Sequence, residues 1–248
     1  MPASEYPVVL RFEGMNPDQI GRYEAHRLRK GGDLGHIDPN KPKPRRLLGS
    51  ATWAQQALAE INLMKTQNFA YELADLDRRN RRKDISKRVV EGPRDPWRAS
   101  KHGPLREVIL TANKEWFEKT ASSDVLFDTQ REDDFERTAV EWLRENFVDD
   151  VIHSRADLDE QTYHIHAVIM PRATVERYGK TCAILQPSAH PLIQNYEDAQ
   201  DSVGAKFASL GLTRGKRHKQ AIRDALNNGK EPPVSPRHVR PAEWRAKE

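Results

Sequence analysis

The sequence predicts an α+β domain in which helices flank a central, mainly antiparallel β-sheet. Short runs at residues 6–12 and Leu105–Ala112 alternate in polarity with the period of a strand, whereas residues 133–147 have apolar positions at helical spacing. Such helices and strands alternate along the chain until two consecutive strands form a hairpin. This order suits a sheet with helices packed on it.

Local signals place each predicted element. A strand at 6–12 precedes a helix with Asn16 as N-cap and Pro17 at the first helical position, which we expect to end at Gly31 and Gly32. Ser50 caps a long helix through Trp53 that continues towards the basic run after residue 77. The remaining predicted elements are a strand at 105–112, an amphipathic helix at 133–147, a hairpin of strands at 150–157 and 163–170, and a helix at 197–210.

The chain has 248 residues with a net charge of +4 and one cysteine, Cys182. A single cysteine excludes an intrachain disulfide and a cysteine-rich zinc site. The sequence has no apolar run of the roughly 20 residues that a membrane span requires. We therefore expect a cytoplasmic protein without a membrane segment.

Three segments of different composition are expected. Residues 1–220 would form the catalytic domain, with a basic and proline-rich insertion at about 75–104. Residues 221–248 contain several prolines and would form a flexible C-terminal tail.

Two clusters of basic residues predict contact with a polyanion. The first lies in residues 78–88 and the second in residues 214–223, and such clusters neutralise phosphates. A solvated helix face is the alternative for either cluster alone. The candidate DNA-binding residues are Arg78, Arg79, Arg81, Arg82, Arg214, Lys216 and Lys219.

A pair of histidines marks a candidate metal site. His164 and His166 are two residues apart on a predicted strand, so both project from one face, about 7 Å apart. A polar strand face is the alternative reading. The preceding strand and turn supply Asp157, Asp159 and Glu160, and two imidazoles with a carboxylate suit Mn²⁺, Zn²⁺, Fe²⁺ or Co²⁺.

A third histidine, His26, lies near the end of the first predicted helix. It is either a surface residue or a nucleophile, since a deprotonated imidazole attacks phosphorus. Arg29 follows three residues later and is expected to hold a phosphate with two hydrogen bonds.

Three segments resemble the MobV (Pre/Mob) plasmid mobilisation relaxases, members of the HUH endonuclease superfamily. The stretch EAHRLRKGGDLGHIDPNKPKPRRLLG resembles the family's first motif, with its histidine, arginine and Ile-Asp pair, here Ile37 and Asp38. DLDEQTYHIHAVIMP resembles the metal motif, and LTRGKRHKQ resembles a basic segment that follows it. The three segments occur in the family's order.

The resemblance implies an HUH relaxase fold and a metal-dependent enzyme that nicks and rejoins one DNA strand at a plasmid transfer origin, for mobilisation or recombination. It implies that His26 attacks the scissile phosphate to give a covalent protein–DNA intermediate. It implies DNA as partner, a hairpin with adjacent single strand, and the conjugation machinery as a further partner.

The sequence departs from the family pattern at several positions. Asp157 stands at the family's first metal histidine, so the implied ligands are Asp157, His164 and His166. An added carboxylate favours Mn²⁺ or Mg²⁺. Glu160 is assigned as a general base or as a residue that orients a metal-bound histidine. Tyr163 replaces a proline, Arg27 replaces an asparagine, and no long C-terminal coiled coil follows.

Several alternatives remain. A DNA-binding mobilisation or regulatory protein with a degenerate site is one, and Tyr23 is an alternative nucleophile to His26. Rolling-circle replication initiators place their tyrosine after the His pair, but Tyr178 and Tyr196 lack the lysine expected four residues on. A cupin also uses a His-x-His pair, but it needs many evenly spaced strands.

Overall fold

The structure is a computed structural model that describes residues 6–30, 34–121, 124–127 and 129–234. The chain divides into two compact units, Met1–Arg214 and Gly215–Glu248. The strands are β1 (Tyr6–Met15), β2 (Arg45–Leu48), β3 (Leu105–Ala112), β4 (Glu118–Ala121), β5 (Asp124–Phe127), β6 (Val151–Asp157), β7 (His164–Ile169), β8 (Arg172–Arg177), β9 (Lys180–Leu185) and β10 (Leu212–Arg214). The α-helices are α1 (Ile20–Arg27), α2 (Trp53–Arg78), α3 (Arg82–Glu91), α4 (Lys114–Phe117), α5 (Thr129–Phe147), α6 (Pro191–Gln194), α7 (Tyr196–Phe207) and α8 (His218–Asn227).

One sheet organises the first unit. Its strands follow the order β10–β1–β3–β7–β6–β2, and β4–β5 and β8–β9 form separate hairpins. The β1–β10 pair is parallel, whereas every other neighbouring pair in the large sheet is antiparallel. The predicted α+β fold with a mainly antiparallel sheet is confirmed.

Strand β7 is buried on both faces because the sheet is covered on both sides. Ile165 and Ile169 face the core formed with α5 and α7, whereas Val168 faces the core formed with α1 and α2. His164 and His166 have the same parity as Val168, so they share the face on which α1 packs. The predicted alternation of β7 therefore places both histidines beside α1.

Helix α5 covers the opposite face of the sheet. Its apolar positions recur at helical spacing, and the side chains of Phe135, Trp142 and Leu143 are at most 1% exposed. Burying each such side chain contributes about 1.5–3 kcal/mol, which makes α5 a main support of the sheet. The helix predicted from this spacing is confirmed, although it begins earlier, at Thr129.

Helix α2 lies against the other face through its first turns. Trp53 stacks on His153 of β6, with ring centroids 4.6 Å apart and an interplanar angle of 8°. His153 is fully buried, and neither ring nitrogen has a hydrogen-bond partner. Burial lowers the pKa of His153 to about 3, so the ring is neutral in the folded protein.

Some boundaries differ from those predicted. Asn16 begins a short 3-10 turn with a capping box, and α1 follows it and ends at Arg27. Gly31 and Gly32, where the helix was expected to end, lie outside the described residues. The sequence analysis did not predict β2, β10, the β8–β9 hairpin, or helix α3, which occupies much of the expected 75–104 insertion.

The second unit contains α8, a helix of ten residues without a buried side chain. The expected tail at 221–248 begins inside this helix, and its residues 235–248 lie outside the described ranges. The division between units falls at Arg214 and Gly215, whereas the expected catalytic domain ran to residue 220. In the described ranges no helix combines the length and apolarity needed to cross a membrane.

We expect His153 to make the fold sensitive to acid. Its pKa is lower in the folded chain than in the unfolded chain, so protons bind preferentially to the unfolded state between pH 6.5 and about 3. Stability therefore falls as pH decreases through this window, by about 1.4 kcal/mol per pH unit from this group at most. In His153→Phe, the loss of unfolding free energy between neutral and mildly acidic pH, measured by urea denaturation, should be about 2 kcal/mol smaller.

The exposed His102 provides a matched control, because His102→Gln should leave the pH dependence of the unfolding free energy unchanged. Equal losses in wild type and His153→Phe would show that burial of His153 does not cause the acid sensitivity.

Candidate metal centre and nucleophile

Asp157, His164 and His166 meet at one end of the β6–β7 pair. Asp157 is opposite His164 in the strand register. Asp157 Oδ2 is 3.6 Å from His166 Nε2 and 4.0 Å from His164 Nε2, and one donor atom of each residue lies within 4.8 Å of the others. Two imidazole nitrogens and a carboxylate oxygen at these separations are a donor set that fits a divalent cation.

The other ring nitrogen of each histidine is held by the protein. His166 Nδ1 is 2.7 Å from Glu107 Oε1 of β3, and His164 Nδ1 is 2.7 Å from the carbonyl oxygen of Thr162. These contacts turn Nε2 of both rings towards Asp157, in the way that neighbouring acceptors orient metal-binding histidines. The sequence analysis missed Glu107. The sequence showed only a carboxylate within an apolar strand, and the β3–β7 register was needed to place Glu107 beside His166.

The pKa values of His164 and His166 are shifted in opposite directions. Burial lowers the pKa of His166, so its ring favours the neutral form that binds metals. Burial also opposes protonation of His164, but Glu160, Asp157 and the Thr162 carbonyl together outweigh burial and raise the pKa of His164. His164 Nε2 is 3.2 Å from Glu160 Oε2, so this carboxylate competes with a cation for the same nitrogen.

Asp157 is fully buried and paired with Arg155. Arg155 Nε donates to Oδ1 at 2.7 Å, and an Nη atom donates to Oδ2 at 3.2 Å. Burial raises the pKa of Asp157, but the charge and hydrogen bonds of Arg155 together with the two nearby imidazoles lower it by more, which keeps the carboxylate ionised. The guanidinium of Arg155 lies 4.3 Å from the ring centroid of Tyr23, which supports it from the other side.

Tyr23 is buried beneath the cluster. Its ring packs edge-on against His166 at 6.3 Å, and its hydroxyl has no hydrogen-bond partner among the residues that the structure describes. Burial raises the pKa of Tyr23 well above its usual value, so a phenolate is strongly disfavoured. These properties favour His26, whose side chain is 31% exposed, over Tyr23 as the nucleophile.

Arg29 joins the end of α1 to the turn between β6 and β7. It adopts φ +54° directly after the helix, where Lys30 N donates to the carbonyl of Ala25 in a Schellman-type ending. Its guanidinium forms two hydrogen bonds with Asp159, at 2.5 and 3.0 Å, and lies 3.1 Å from Glu160. The Nε–Nη2 edge of the expected phosphate clamp is therefore engaged by carboxylates of the chain, and Nη1 contacts His26.

Glu160 is the meeting point of the candidate nucleophile and the histidine pair. Its carboxylate is 3.7 Å from His26 Nε2 and 3.4 Å from His36 Nε2, in addition to its contact with His164. Burial opposes ionisation, but the neighbouring imidazoles of His164, His26 and His36 together lower the pKa of Glu160 below its usual value. His26 and His36 stack with ring centroids 5.7 Å apart, a pairing the sequence analysis did not anticipate.

The Ile-Asp pair has a structural role. Ile37 forms an isolated bridge with Glu160, and Asp38 N donates to the carbonyl of Asp159 at 2.7 Å. Lys41 Nζ also donates to the carbonyl of Glu160 at 3.2 Å. These backbone contacts hold the segment after α1 across the β6–β7 turn and bring His36 to the site.

The site has an excess of negative charge. The carboxylates of Glu107, Asp157, Asp159 and Glu160 face the two guanidiniums of Arg29 and Arg155, which leaves two negative charges in excess when the imidazoles are neutral. A divalent cation would balance this excess.

The expected DNA-binding arginines of the first cluster are exposed but mostly paired. Arg78 and Arg79 contact Asp75, and Arg81 Nε is 2.9 Å from Asp84. Arg82 is exposed and forms no ion pair within the described residues. Exposed ion pairs contribute at most about 1 kcal/mol, so a phosphate can compete with these carboxylates.

The second cluster is divided between the two units. Arg214 belongs to β10 in the first unit, where it pairs with Asp201. Lys216 and Lys219 belong to the second unit and are exposed.

Comparison with solved structures gives matches over nearly the whole chain. Two Mn-bound structures of the MobM relaxase domain (MOBV; Mob_Pre) bound to plasmid pMV158 oriT DNA have TM-scores of 0.61 and 0.60 at 20% identity. They cover 98% and 97% of this chain, which in turn covers 100% and 98% of theirs. A third, bound to 26-nucleotide oriT DNA, has a TM-score of 0.51 at 18% identity and covers 96% of this chain and 99% of its own. The present chain shares their fold.

Among curated proteins, no sequence matches this chain significantly. A family model described as plasmid recombination enzyme, Mob_Pre, matches residues 52–226. The matched range includes the metal cluster and Glu160, whereas His26 and Arg29 precede it. Because the match spans more than half of the chain, the protein belongs to the Mob_Pre family of plasmid recombination enzymes, the family that its motifs resemble.

Proposed function

We propose that this protein is a DNA relaxase that nicks and rejoins one strand at a plasmid transfer origin, for mobilisation or recombination. The observation that carries the proposal is the convergence of His26 with the Asp157–His164–His166 cluster at a shared carboxylate, Glu160. Family membership and the fold of a relaxase domain solved with oriT DNA support the same activity.

Asp157, His164 and His166 would hold a divalent cation, Mn²⁺ or Mg²⁺, since they combine one anionic oxygen with two nitrogen donors. When bound, the cation supplies electrostatic polarisation of the scissile phosphate. Glu107 and Thr162 fix the ring orientations that this arrangement requires. Mn²⁺ is present in several of the solved relaxase structures.

His26 would act as the nucleophile. A ring nitrogen attacks phosphorus, a P–N bond forms as the bond to the 3′ oxygen breaks, and the released oxygen takes up a proton. Glu160 Oε1 is 3.7 Å from His26 Nε2, and its lowered pKa keeps it ionised, so it would stabilise the positive charge that the imidazole gains on attack before the proton passes to water. Attack by a 3′ hydroxyl on the phosphoramidate reverses these steps and reseals the strand.

Arg29 would position the nucleophile instead of clamping the phosphate. Its Nη1 is 3.2 Å from His26 Nε2, while its other nitrogens bind Asp159. It thereby fixes the imidazole relative to the β6–β7 turn. Phosphates would be met by the exposed basic clusters, and we propose the conjugation machinery as a further partner and the cytoplasm, where plasmid DNA is found, as the place of action.

A DNA-binding protein without nicking activity is the second candidate. The observation in its favour is that Arg155 already pairs with both oxygens of Asp157, so a guanidinium competes with a metal for that carboxylate. Detection of a covalent protein–DNA adduct separates the two functions, because only the relaxase forms one.

We expect His26→Ala to abolish covalent adduct formation and to lower nicking of a supercoiled plasmid carrying the cognate origin by about a thousandfold or more. Tyr23→Phe is the matched control, because the buried hydroxyl has no partner and its removal should leave nicking within about twofold of wild type. Denaturing gels measure nicking, and mass spectrometry locates the linked residue. Adduct formation that persists in His26→Ala and disappears in Tyr23→Phe would reverse the assignment.

Glu107→Ala should weaken Mn²⁺ binding by about 10–100-fold, because His166 loses the acceptor that orients its ring. Calorimetric titration of the metal-free protein measures this change. Asp157→Asn, which keeps the shape but removes the charge, should weaken binding further. Glu13→Ala on neighbouring β1 controls for loss of a strand carboxylate, and equal Mn²⁺ affinity in all four proteins is the outcome that contradicts this ligand set.

Arg82→Gln should lower the salt dependence of DNA binding. One lost phosphate contact reduces the slope of log affinity against log salt by about 0.7–0.9. Arg81→Gln should reduce the slope less, because Arg81 must break its ion pair with Asp84 before it can contact a phosphate. Anisotropy titrations of a labelled oligonucleotide at several salt concentrations measure both slopes. Unchanged slopes for both would remove this cluster from the interface.

A further inference from the structure

A cavity of about 1000 Å³ lies apart from the metal cluster, between α2, the segment 94–104 and the β8–β9 hairpin. This volume is at the upper end of the range for small-ligand sites. The 94–104 segment is attached to β9, since Leu185 N donates to the carbonyl of Pro96 at 2.8 Å. The cavity is therefore formed by hydrogen-bonded elements.

Aromatic rings form part of the wall. Phe69 of α2, Trp97 of the connecting segment and Tyr178 of the hairpin tip all line the cavity, and each is partly exposed. A cation already lies over two of these rings, Arg88 over Phe69 at 5.3 Å and Lys65 over Trp97 at 5.4 Å, so a planar ring would stack on the remaining ring faces.

Tyr178 occupies its position against its backbone preference. Tyr178 and Gly179 form the two-residue loop between β8 and β9, with φ +59° and +68°. Such a type I′ loop favours asparagine or glycine at the first position, because a larger side chain is disfavoured at positive φ. A tyrosine retained there in spite of this preference is consistent with a role in binding.

Three of the four guanidiniums that line the cavity lack carboxylate partners, whereas the fourth, Arg94, pairs with Glu91 and Glu72. Arg98, Arg106 and Arg177 line it, and none forms an ion pair within the described ranges. Arg106 is partly buried and uses Nη1 to contact the carbonyls of His102, Gly103 and Leu105. Burial lowers the pKa of Arg106, as expected for a cation that lacks a counter-charge.

The acids of the cavity are already paired with basic side chains. Glu72 accepts two hydrogen bonds from Arg88, at 2.8 and 3.0 Å, and Asp95 pairs with Lys65 at 2.5 Å. The cavity thus presents positive charge beside aromatic faces. An anion that carries a planar ring matches both features, and nucleotides have this chemistry.

We propose that this cavity binds one unpaired nucleotide of the DNA strand, with its base stacked on Trp97 and Tyr178 and its phosphate near Arg177. This inference rests on the proposed function, which makes DNA the substrate. A free mononucleotide has the same chemistry as an unpaired nucleotide of a strand, so an experiment must separate the two sources.

The first measurement titrates deoxyadenosine monophosphate into the protein with EDTA present and follows tryptophan fluorescence excited at its red edge. Quenching that is present in wild type and absent in Trp97→Phe places the base at this cavity, and inorganic phosphate should cause no quenching. The second measurement follows the anisotropy of a fluorescein-labelled oligodeoxyadenylate. If the natural ligand is a nucleotide within a DNA strand, the oligonucleotide should bind much more tightly than the mononucleotide.

Variants then test the cavity. Trp97→Ala and Arg177→Gln should weaken oligonucleotide binding by about tenfold, whereas Trp97→Phe should retain most of the affinity. Lys180→Gln removes the same charge from the other end of the hairpin loop, outside the cavity, and should have little effect. Tyr71→Ala, on α2 but outside the cavity lining, is the matched aromatic control.

Tyr178→Asn separates binding from folding. It creates the Asn-Gly pair that a type I′ loop favours, so the melting temperature should stay equal or rise while oligonucleotide affinity falls by about fivefold or more. If Tyr178 served only the fold, Tyr178→Asn would neither lower the oligonucleotide affinity nor raise the melting temperature.

The outcomes distinguish the two proposals. Wild-type oligonucleotide affinity in Trp97→Ala, Arg177→Gln and Tyr178→Asn would overturn the nucleotide site and leave the relaxase proposal standing. Mononucleotide quenching at Trp97 without oligonucleotide binding would establish a nucleotide site but contradict a strand as its source. No response to either probe overturns the site.

Discussion

The ion pair between Arg29 and Asp159 is the interaction on which the site depends. It joins two parts of the chain that are 130 residues apart, and it determines where α1 ends relative to the β6–β7 turn. Arg29 adopts a left-handed conformation at that point, which costs about 1 kcal/mol relative to glycine. Loss of its guanidinium would leave largely buried carboxylates uncompensated, at a cost of about 3–5 kcal/mol. The ion pair therefore outweighs the backbone strain, and His26 is held beside Glu160 as a result.

A second buried pair, Arg155 with Asp157, sets the chemistry of the metal cluster. The family pattern has a histidine at the position of Asp157, and a histidine would not need a buried counter-charge. With aspartate there, Arg155 keeps the carboxylate ionised, and Tyr23 supports the guanidinium through its ring face. The unpartnered hydroxyl of Tyr23 is then understandable, because its ring makes the contact that matters. The aspartate at this position of the candidate metal site is accommodated by its neighbours in the structure.

The side-chain periods of strands and helices made part of the fold and site predictable from sequence. The contacts that depend on strand register and loop docking were not predictable. The strand period placed His164 and His166 on one face and Ile165 on the other, and the helical period placed Phe135 and Trp142 in the core. Glu107 and His36 could not be placed in this way. Glu107 reaches His166 through the pairing of β3 with β7, and His36 reaches Glu160 through a loop docked by backbone hydrogen bonds. Neither contact leaves a periodic signal, because both depend on which segments become neighbours in three dimensions.

The same limit applies to charge. Arginine binds phosphate well. The position of Arg29, three residues after His26, did not indicate that Asp159 would engage its guanidinium. Asp159 follows β6 by two residues and Arg29 follows α1, and the two side chains become neighbours only when the sheet has formed. The β8–β9 hairpin was missed for a related reason: its loop contains Tyr178 where a type I′ turn favours asparagine, so the turn signal was absent.

Exposure defines the direction from which a substrate would reach the site. The side chain of Asp157 is fully buried, that of His164 is 16% exposed, and that of His26 is 31% exposed. The metal cluster thus lies at the bottom and the candidate nucleophile at the mouth. A group that arrives from solvent would therefore meet the more exposed His26 before the buried Asp157.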